Sequence, residues 1–179
     1  MTSLLGFYRE FGDQPERPLP IEQWDPPFCG DIDMRIVRNG DWVYNGTPVE
    51  RPDMVRLFSR ILRRETDRYV LVTPVEKVGI TVEDAPFIAT AMQAEDGPAL
   101  TFRTNVGDIL TADNQHPLRF ETDEDGFRPY IHVRHGLEAR LTRQLARDLA
   151  DILEVEDGWL GVKSCGCFFR VAPADAELT

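Results

Sequence analysis

One order of elements occurs twice in this chain: a β-hairpin, an amphipathic helix and a second hairpin. In the first half the pattern predicts a hairpin over residues 32–44, a helix over Asp53–Arg64 and a hairpin over Tyr69–Val82. In the second half it predicts a hairpin over Leu118–Val133, a helix over Leu137–Leu153 and a hairpin over Trp159–Val171. A repeat of this length indicates two copies of one supersecondary unit. The sequence therefore predicts a duplicated α+β fold.

The two copies also align in detail. Gly46 and Arg51 precede or open the first helix, as Gly136 and Arg140 do the second. We expect an N-terminal α+β unit over residues 1–84, with a proline-rich leading arm. A C-terminal β-rich unit with one long helix is expected over residues 85–179. A crevice between two such copies is the place where a ligand is expected.

The first predicted helix carries both apolar and basic residues. Its stripe of apolar side chains consists of Met54, Leu57, Phe58, Ile61 and Leu62, at the spacing of a helix face that packs on a core. Its arginines, Arg56, Arg60, Arg63 and Arg64, lie mostly off that stripe. This basic face is either simply solvated or a surface for an anionic protein partner.

The chain is acidic, with a formal net charge of −11 and a pI of about 4.7. Bulk charge therefore disfavours binding to nucleic acid and to anionic membranes. The first residues do not resemble a signal peptide, and no stretch has the length and apolarity of a transmembrane helix. We expect a cytoplasmic protein with reduced thiols, and the sequence leaves its oligomeric state open.

No catalytic motif is present in the sequence. It contains no glycine-rich phosphate loop, no nucleophile elbow and no HExxH pattern. Cys165 and Cys167 flank one glycine, but they have no second ligand pair of the kind that zinc sites use. The three histidines are dispersed. We therefore expect neither a metal nor a cofactor.

Several basic and polar residues lie at predicted strand ends. Glu76 and Lys77 follow an apolar strand, where they form either a surface pair or an anion contact. Thr104 and Asn105 end another strand, where they serve either turn formation or ligand orientation. Arg134 and Arg140 flank the predicted start of the second helix, where backbone N–H groups favour an anion.

Eight sequence segments follow one another in an order typical of a known family. They are Trp24–Pro27, Cys29–Asp33, Gly40–Tyr44, Pro48–Leu62, Thr73–Lys77, Val82–Phe87, Phe102–Asn105 and Pro129–Arg140. In these segments the chain resembles the uncharacterised bacterial family called domain of unknown function 1285. The resemblance implies a duplicated α+β core whose second half is superficially like a pleckstrin-homology fold. It also implies a nucleotide-like ligand between the halves and a role in signal transduction.

These observations predict a binding or sensing module for a small anionic, nucleotide-like ligand. In this hypothesis Arg140, Arg134 and Arg51 offer guanidinium groups and Lys77, beside Glu76, adds a point charge. Thr104 and Asn105 orient the polar part of the ligand, and Trp42 or Tyr44 stacks on a base. Two alternatives stay open. One is an adaptor that uses the arginine-rich first helix. The other is a hydrolase or transferase with Glu76 or Asp33 as its base.

The pattern of cysteines generates a prediction. Replacing Cys165 and Cys167 together by serine should leave the fold and the metal content unchanged, because their spacing offers no complete ligand set. Circular dichroism and elemental analysis of both proteins measure this. Stoichiometric zinc in the wild type that disappears in the double variant would contradict it.

Overall fold

The computed structural model describes residues 19–94, 99–124 and 126–175. The chain divides into two compact units with the boundary between Pro86 and Phe87. Both units are mostly β-sheet, and each described unit contains one α-helix. The architecture is thus a two-part α+β fold, as predicted.

The first unit follows a short 3-10 helix at Ile21–Gln23. Its elements are β1 (Phe28–Ile36), β2 (Trp42–Tyr44), β3 (Thr47–Pro48), α1 (Pro52–Arg60), β4 (Leu62–Glu65), β5 (Arg68–Val72) and β6 (Lys77–Val82). They form one six-stranded sheet in the order β3-β2-β1-β6-β5-β4. The central pair, β1 and β6, is parallel, and the other neighbours are antiparallel.

The second unit contains two sheets. Its elements are β7 (Phe87–Ala94), β8 (Leu100–Thr104), β9 (Ile109–Thr111), β10 (Leu118–Asp123), β11 (Gly126–Arg134), β12 (Leu137–Leu141), α2 (Arg143–Ala150), β13 (Glu154–Glu156), β14 (Trp159–Ser164) and β15 (Cys167–Pro173). Six strands form a sheet in the order β10-β11-β12-β7-β8-β9, with β7 and β12 parallel at its centre. The last three form a separate antiparallel sheet.

The repeated structural element is a three-stranded antiparallel meander. The described strands make five of them: β1–β3, β4–β6, β7–β9, β10–β12 and β13–β15. In both six-stranded sheets, the first strand of one meander pairs in parallel with the last strand of the meander that follows it. The strand order is therefore identical in the two six-stranded sheets, which confirms the duplication.

The correspondence between the two helices is different from the one predicted. Helix α1 lies between the two meanders of its sheet, whereas α2 follows the second meander of the other sheet and precedes β13–β15. The order hairpin, helix, hairpin does occur twice. In the second case, however, the hairpin after the helix, β14–β15, belongs to a separate sheet. Arg51 and Arg140 are therefore not equivalent positions.

Helix α1 ends at Arg60, four residues before the predicted end. The N–H group of Ile61 closes the helix on the carbonyls of Leu57 and Phe58, and Leu62 begins β4 opposite Leu71. Ile61 and Leu62, which follow the helix, are buried like Leu57 and Phe58 within it. The spacing of apolar residues therefore did not show where the helix ends. As a result Arg63 and Arg64 belong to a strand, and the arginine-rich helix of the adaptor alternative keeps Arg56 and Arg60.

The predicted second helix begins with a strand. Leu137, Ala139 and Leu141 alternate into the core as part of β12 and are 0%, 0% and 3% exposed. Thr142 then caps α2, its hydroxyl accepting a hydrogen bond from the N–H of Leu145 at 3.3 Å. Leucines four residues apart share a side in a helix and in a strand, which is why their spacing misplaced this boundary.

Tight turns define most of the hairpins. Among the described residues, four two-residue turns have positive φ at both positions: Asn45-Gly46, His135-Gly136, Asp157-Gly158 and Cys165-Gly166. Two positive φ angles are typical of type I′ turns, which match the twist of the flanking strands. The predicted type I′ turn at Asn39-Gly40 has positive φ at Gly40 but not at Asn39. It forms part of a longer loop between β1 and β2, although the predicted hairpin is present.

Each unit buries one face of its six-stranded sheet against its helix. In the first unit the ring of Trp42 lies 5.9 Å from that of Phe58 on α1. In the second unit α2 packs on β7, β11 and β12 and buries Leu145, Ala146 and Leu149. The separate sheet is fastened to the large one by the Ser164 hydroxyl, which accepts a hydrogen bond from the N–H of Leu100 at 2.9 Å.

Two strand glycines provide a test of this packing. A Cβ at Gly161 would lie 2.5 Å from the Phe168 ring and 2.5 Å from the carbonyl oxygen of Phe169. We expect Gly161→Ala to reduce the free energy of unfolding by about 1–3 kcal/mol. Gly79→Ala should cost less, because the nearest atoms there belong to the exposed, rotatable side chain of Asp31. Urea unfolding of both variants measures the difference, and equal losses would contradict the explanation.

Candidate ligand-binding site

The structure groups four of the eight predicted site residues around the first residues of β7. Arg140 lies opposite Ile88 in the parallel pair of β12 and β7. Thr104 lies opposite Ala89, and Asn105 follows at the end of β8. The guanidinium carbon of Arg134 lies 5.0 Å from the centre of the Phe87 ring.

Arg140 belongs to a strand and not to the first turn of a helix. Its neighbours in the sheet are Tyr130 on β11 and Ile88 on β7. The predicted contribution of helix N–H groups beside Arg140 is therefore wrong. Because successive strand residues alternate between faces, Arg140 lies on the face opposite to Ala139 and Leu141, which point into the core with α2.

A second arginine lies on the same face as Arg140. Arg119 on β10 is opposite Tyr130, and its guanidinium carbon lies 4.1 Å from the centre of the Tyr130 ring. It donates hydrogen bonds of 2.8 and 2.7 Å to the two carboxylate oxygens of Glu138 and contacts Glu121. These hydrogen bonds, that to Glu138 foremost, raise the pKa of Arg119. Arg119, Tyr130 and Arg140 thus form a row across three strands.

This row was missed by sequence reasoning, apart from Arg140. The residues belong to β10, β11 and β12, and their adjacency depends on the register of two hairpins. The bidentate pair between Arg119 and Glu138 restricts the Arg119 side chain and therefore keeps it over the Tyr130 ring. The row places two guanidinium groups on one face of the sheet, and the charge of Arg119 is balanced by Glu138 and Glu121.

Arg134 lies on the other side of the sheet from Arg140. It contacts Phe87, which faces the core with Ala139, and it donates a hydrogen bond of 3.0 Å to Asp108. The hydroxyl of Thr104 in turn accepts a hydrogen bond of 3.0 Å from the N–H of Asp108. The structure therefore joins Arg134 and Thr104 through Asp108, and it does not place Arg134 beside Arg140.

The side chain of Asn105 stabilises the start of β7. Its amide oxygen accepts a hydrogen bond of 3.0 Å from the N–H of Ile88, and its own N–H donates to the carbonyl of Ile88 at 2.8 Å. Thr104 is 2% exposed. Of the two interpretations of Thr104 and Asn105, these contacts favour turn formation.

In the first unit, Lys77 belongs to an ionic network that we call the arm clamp, formed by Arg63, Glu65 and Lys77. Lys77 and Arg63 donate to the same oxygen of Glu65, at 2.9 and 2.7 Å. Arg63 also donates to the carbonyls of Ile21 and Trp24, at 3.1 and 2.9 Å. The network fastens the segment before β1 to the sheet. The carboxylate beside Lys77 is thus Glu65, which is distant in sequence, rather than Glu76.

The other predicted residues of the first unit are dispersed. Trp42 is 1% exposed in the core, so the prediction that its ring stacks on a ligand is wrong. Arg51 is the exposed N-cap residue of α1, and its carbonyl accepts from the N–H groups of Met54 and Val55. The Glu76 N–H donates to the Thr73 hydroxyl at 3.1 Å within a turn.

The groups that the enzyme alternative would use do not form a constellation. The exposed carboxylate of Asp33 pairs with Arg35 at 3.5 Å. Within residues 19–94, 99–124 and 126–175, no three His, Cys, Asp or Glu side chains are grouped so that they would hold a metal ion. The three cysteines are free, and the thiol of Cys167 donates to the amide oxygen of Asn114 at 3.3 Å. None of the helices in these same ranges is long and apolar enough to cross a membrane.

Comparisons with known proteins agree with the two-unit architecture. The family model "Domain of unknown function (DUF1285), N-terminal domain" matches residues 19–85, and "Protein of unknown function (DUF1285), C-terminal domain" matches residues 86–171. A crystal structure of a DUF1285 family protein from Silicibacter pomeroyi DSS-3 is 50% identical, with a TM-score of 0.87 and 96% of both chains covered. One from Shewanella baltica OS155 is 29% identical, with a TM-score of 0.54, covering 66% of this chain and 90% of that one. A search of curated proteins gives no match.

The arm clamp leads to a prediction about pH. Hydrogen bonds from Lys77, and then from Arg63, lower the pKa of Glu65 below its ordinary value of 4.5. A carboxyl with a lowered folded-state pKa stabilises the protein above that ordinary value, and the contribution is lost as pH falls through the folded-state pKa. We therefore expect Glu65→Gln to destabilise the protein at pH 7 and to have a smaller effect at pH 3.

Urea unfolding at the two pH values measures this difference. Asp67→Asn, which removes an exposed carboxylate from the same hairpin, is the matched control and should change little at either pH. A loss of stability in Glu65→Gln that is equal at pH 7 and pH 3 would show that the clamp does not depend on the carboxylate charge.

Proposed function

The chain belongs to the DUF1285 family, a family of unknown function, and we propose that its second unit is a binding module for a small anionic ligand. The observation that carries the proposal is the row of Arg119, Tyr130 and Arg140 on one face of the six-stranded sheet. Two guanidinium groups on one face of a chain of net charge −11 favour a compact anion that their planar donors can bind, whereas the overall field repels nucleic acid.

In this proposal Arg140 is the residue that contacts the ligand. Arg119 is held by Glu138 and Glu121, so its role is to order the row. A guanidinium presents a planar pair of donors that suits a phosphate or a carboxylate. The position of Arg140 between Tyr130 and Ile88 also places its stem on a central strand, which restricts its movement.

Three finer expectations remain parts of the proposal: a nucleotide-like ligand, a role in signal transduction and a pleckstrin-homology-like second half. The guanidinium groups of the row suit the phosphate of a nucleotide, which supports the first expectation. The burial of Trp42 removes one of the two predicted contacts with a base and leaves Tyr44, whose side chain is half-buried. The pleckstrin-homology-like second half is supported by helix α2, which follows the six-stranded sheet in the chain and packs on it.

The adaptor alternative loses its main support. Helix α1 retains two of its four predicted arginines, Arg56 and Arg60, and Arg56 contacts Asp53 one turn earlier on the same helix. Ion pairs of this exposed kind are typical of a solvated helix surface. We therefore do not assign the arginines of α1 to a protein partner. We propose instead that the second unit binds a ligand.

A thermal-shift screen with inorganic phosphate, pyrophosphate and nucleotides tests the proposal. A ligand at a hundredfold its dissociation constant should add about 2.7 kcal/mol to the free energy of unfolding. Calorimetric titration of that compound into Arg140→Ala should then show binding weakened about tenfold to a hundredfold, the loss of one charge-assisted contact.

Arg56→Ala is the control, since it removes an exposed arginine of the other unit and should leave binding unchanged. Circular dichroism and thermal unfolding of each variant establish that it is folded. Wild-type affinity in a folded Arg140→Ala protein would contradict the assignment of Arg140. Failure of phosphate, pyrophosphate and every nucleotide in the screen to stabilise the wild type would contradict the proposed function.

A further inference from the structure

The ring of His132 on β11 is hydrogen-bonded at both nitrogens. Its Nδ1 lies 3.0 Å from the carbonyl oxygen of Gln115, and its Nε2 lies 3.2 Å from the backbone N of Gly136. A carbonyl oxygen accepts a hydrogen bond and an amide N–H donates one. The network therefore assigns the proton to Nδ1 and a lone pair to Nε2, so this arrangement requires the neutral imidazole.

A second imidazole lies beside the first. The Nδ1 of His116 is 3.0 Å from the carbonyl oxygen of His132, and the two ring centres are 6.2 Å apart. The N–H of His132 also donates to the carbonyl of Pro117 at 3.0 Å. These bonds tie β11 to the connection between β9 and β10. Protonation of both rings would place two positive charges close together.

Carboxylates face this pair from two elements. The Asp113 side chain accepts the N–H groups of Gln115 and His116, both at 2.8 Å, and these bonds, that of His116 foremost, lower the pKa of Asp113. Asp113 is therefore ionised throughout the range in which imidazoles titrate. On β12, Glu138 lies opposite His132 and binds Arg119.

The bond to Gly136 holds the turn that begins β12. His135 and Gly136 have φ of 47° and 75° and join β11 to β12. The turn also contains the titratable side chain of His135, and it follows Arg134, which is paired with Asp108. Since β12 forms the central parallel pair with β7, the turn lies next to the middle of the sheet.

We propose that His132 makes this turn sensitive to pH. Protonation of Nε2 removes the acceptor of the Gly136 N–H, and the resulting imidazolium turns toward the Glu138 carboxylate across the strand pair. The His135-Gly136 turn is then held less firmly in mildly acidic solution than at neutral pH. Imidazole is the side chain whose charge normally changes between pH 5 and 8. The inference does not depend on the proposed ligand.

Amide hydrogen exchange and proton NMR of the full chain test the proposal. Between about pH 7.5 and pH 5, protection of the Gly136 amide, corrected for intrinsic exchange, should fall about threefold to tenfold, the loss of one hydrogen bond. The midpoint should coincide with the titration of the His132 ring proton. Gly40, a turn glycine with a φ of 88° whose N–H donates to the carbonyl of Val37 at 2.8 Å, is the internal control and should keep its protection.

The variant His132→Gln offers a neutral acceptor in place of Nε2 and should abolish the change at Gly136. The comparison of Gly136 with Gly40 in the wild type is decisive even if that variant does not fold. Constant protection of Gly136 while the His132 ring titrates would overturn the proposal, as would a His132 ring that stays neutral down to pH 5.

Discussion

The parallel pairing of the first and last strands holds each six-stranded sheet together. Every other neighbouring pair in these sheets joins strands of one meander, whereas β1 with β6 and β7 with β12 join two meanders. A three-stranded meander alone is close to the lower limit of independent stability. The packing of each sheet on its helix therefore depends on this pair, and so does the position of Arg140 beside Ile88.

Most of the hairpins were predictable from the sequence because their signals are local, whereas most of β4 and all of β12 fell within the predicted helices. Alternating apolar residues and turn residues such as Asn45-Gly46 and Asp157-Gly158 specify a strand pair within a few positions. The limits of the helices were not predictable from apolar spacing, as Leu137 and Leu141 show: residues four apart share a side in both structures. Pairing between meanders was not predictable either, since it joins strands that are distant in sequence.

The candidate site, too, was predictable only in its local features. The types of residue and their positions at strand ends were predictable, whereas their partners were decided by register. Lys77 pairs with Glu65, and Arg134 pairs with Asp108. In an acidic chain a basic side chain readily finds a carboxylate of its own unit, so a basic residue at a strand end is weak evidence for a ligand. The row through Arg119 and Arg140 became visible only with the register of β10, β11 and β12.

In each six-stranded sheet the first meander pairs with the meander that immediately follows it in the chain, and this has a consequence for biosynthesis. All strands of the first sheet leave the ribosome before β7, so that sheet has every hydrogen-bonding partner while the second is still being made. Within each sheet, however, the first strand has no parallel neighbour until the last strand has been translated: β1 pairs with β6, and β7 with β12. Its unpaired edge is exposed during that interval, when nascent chains are prone to associate. Translation speed through β2–β5 and β8–β11 therefore sets how long each edge remains open.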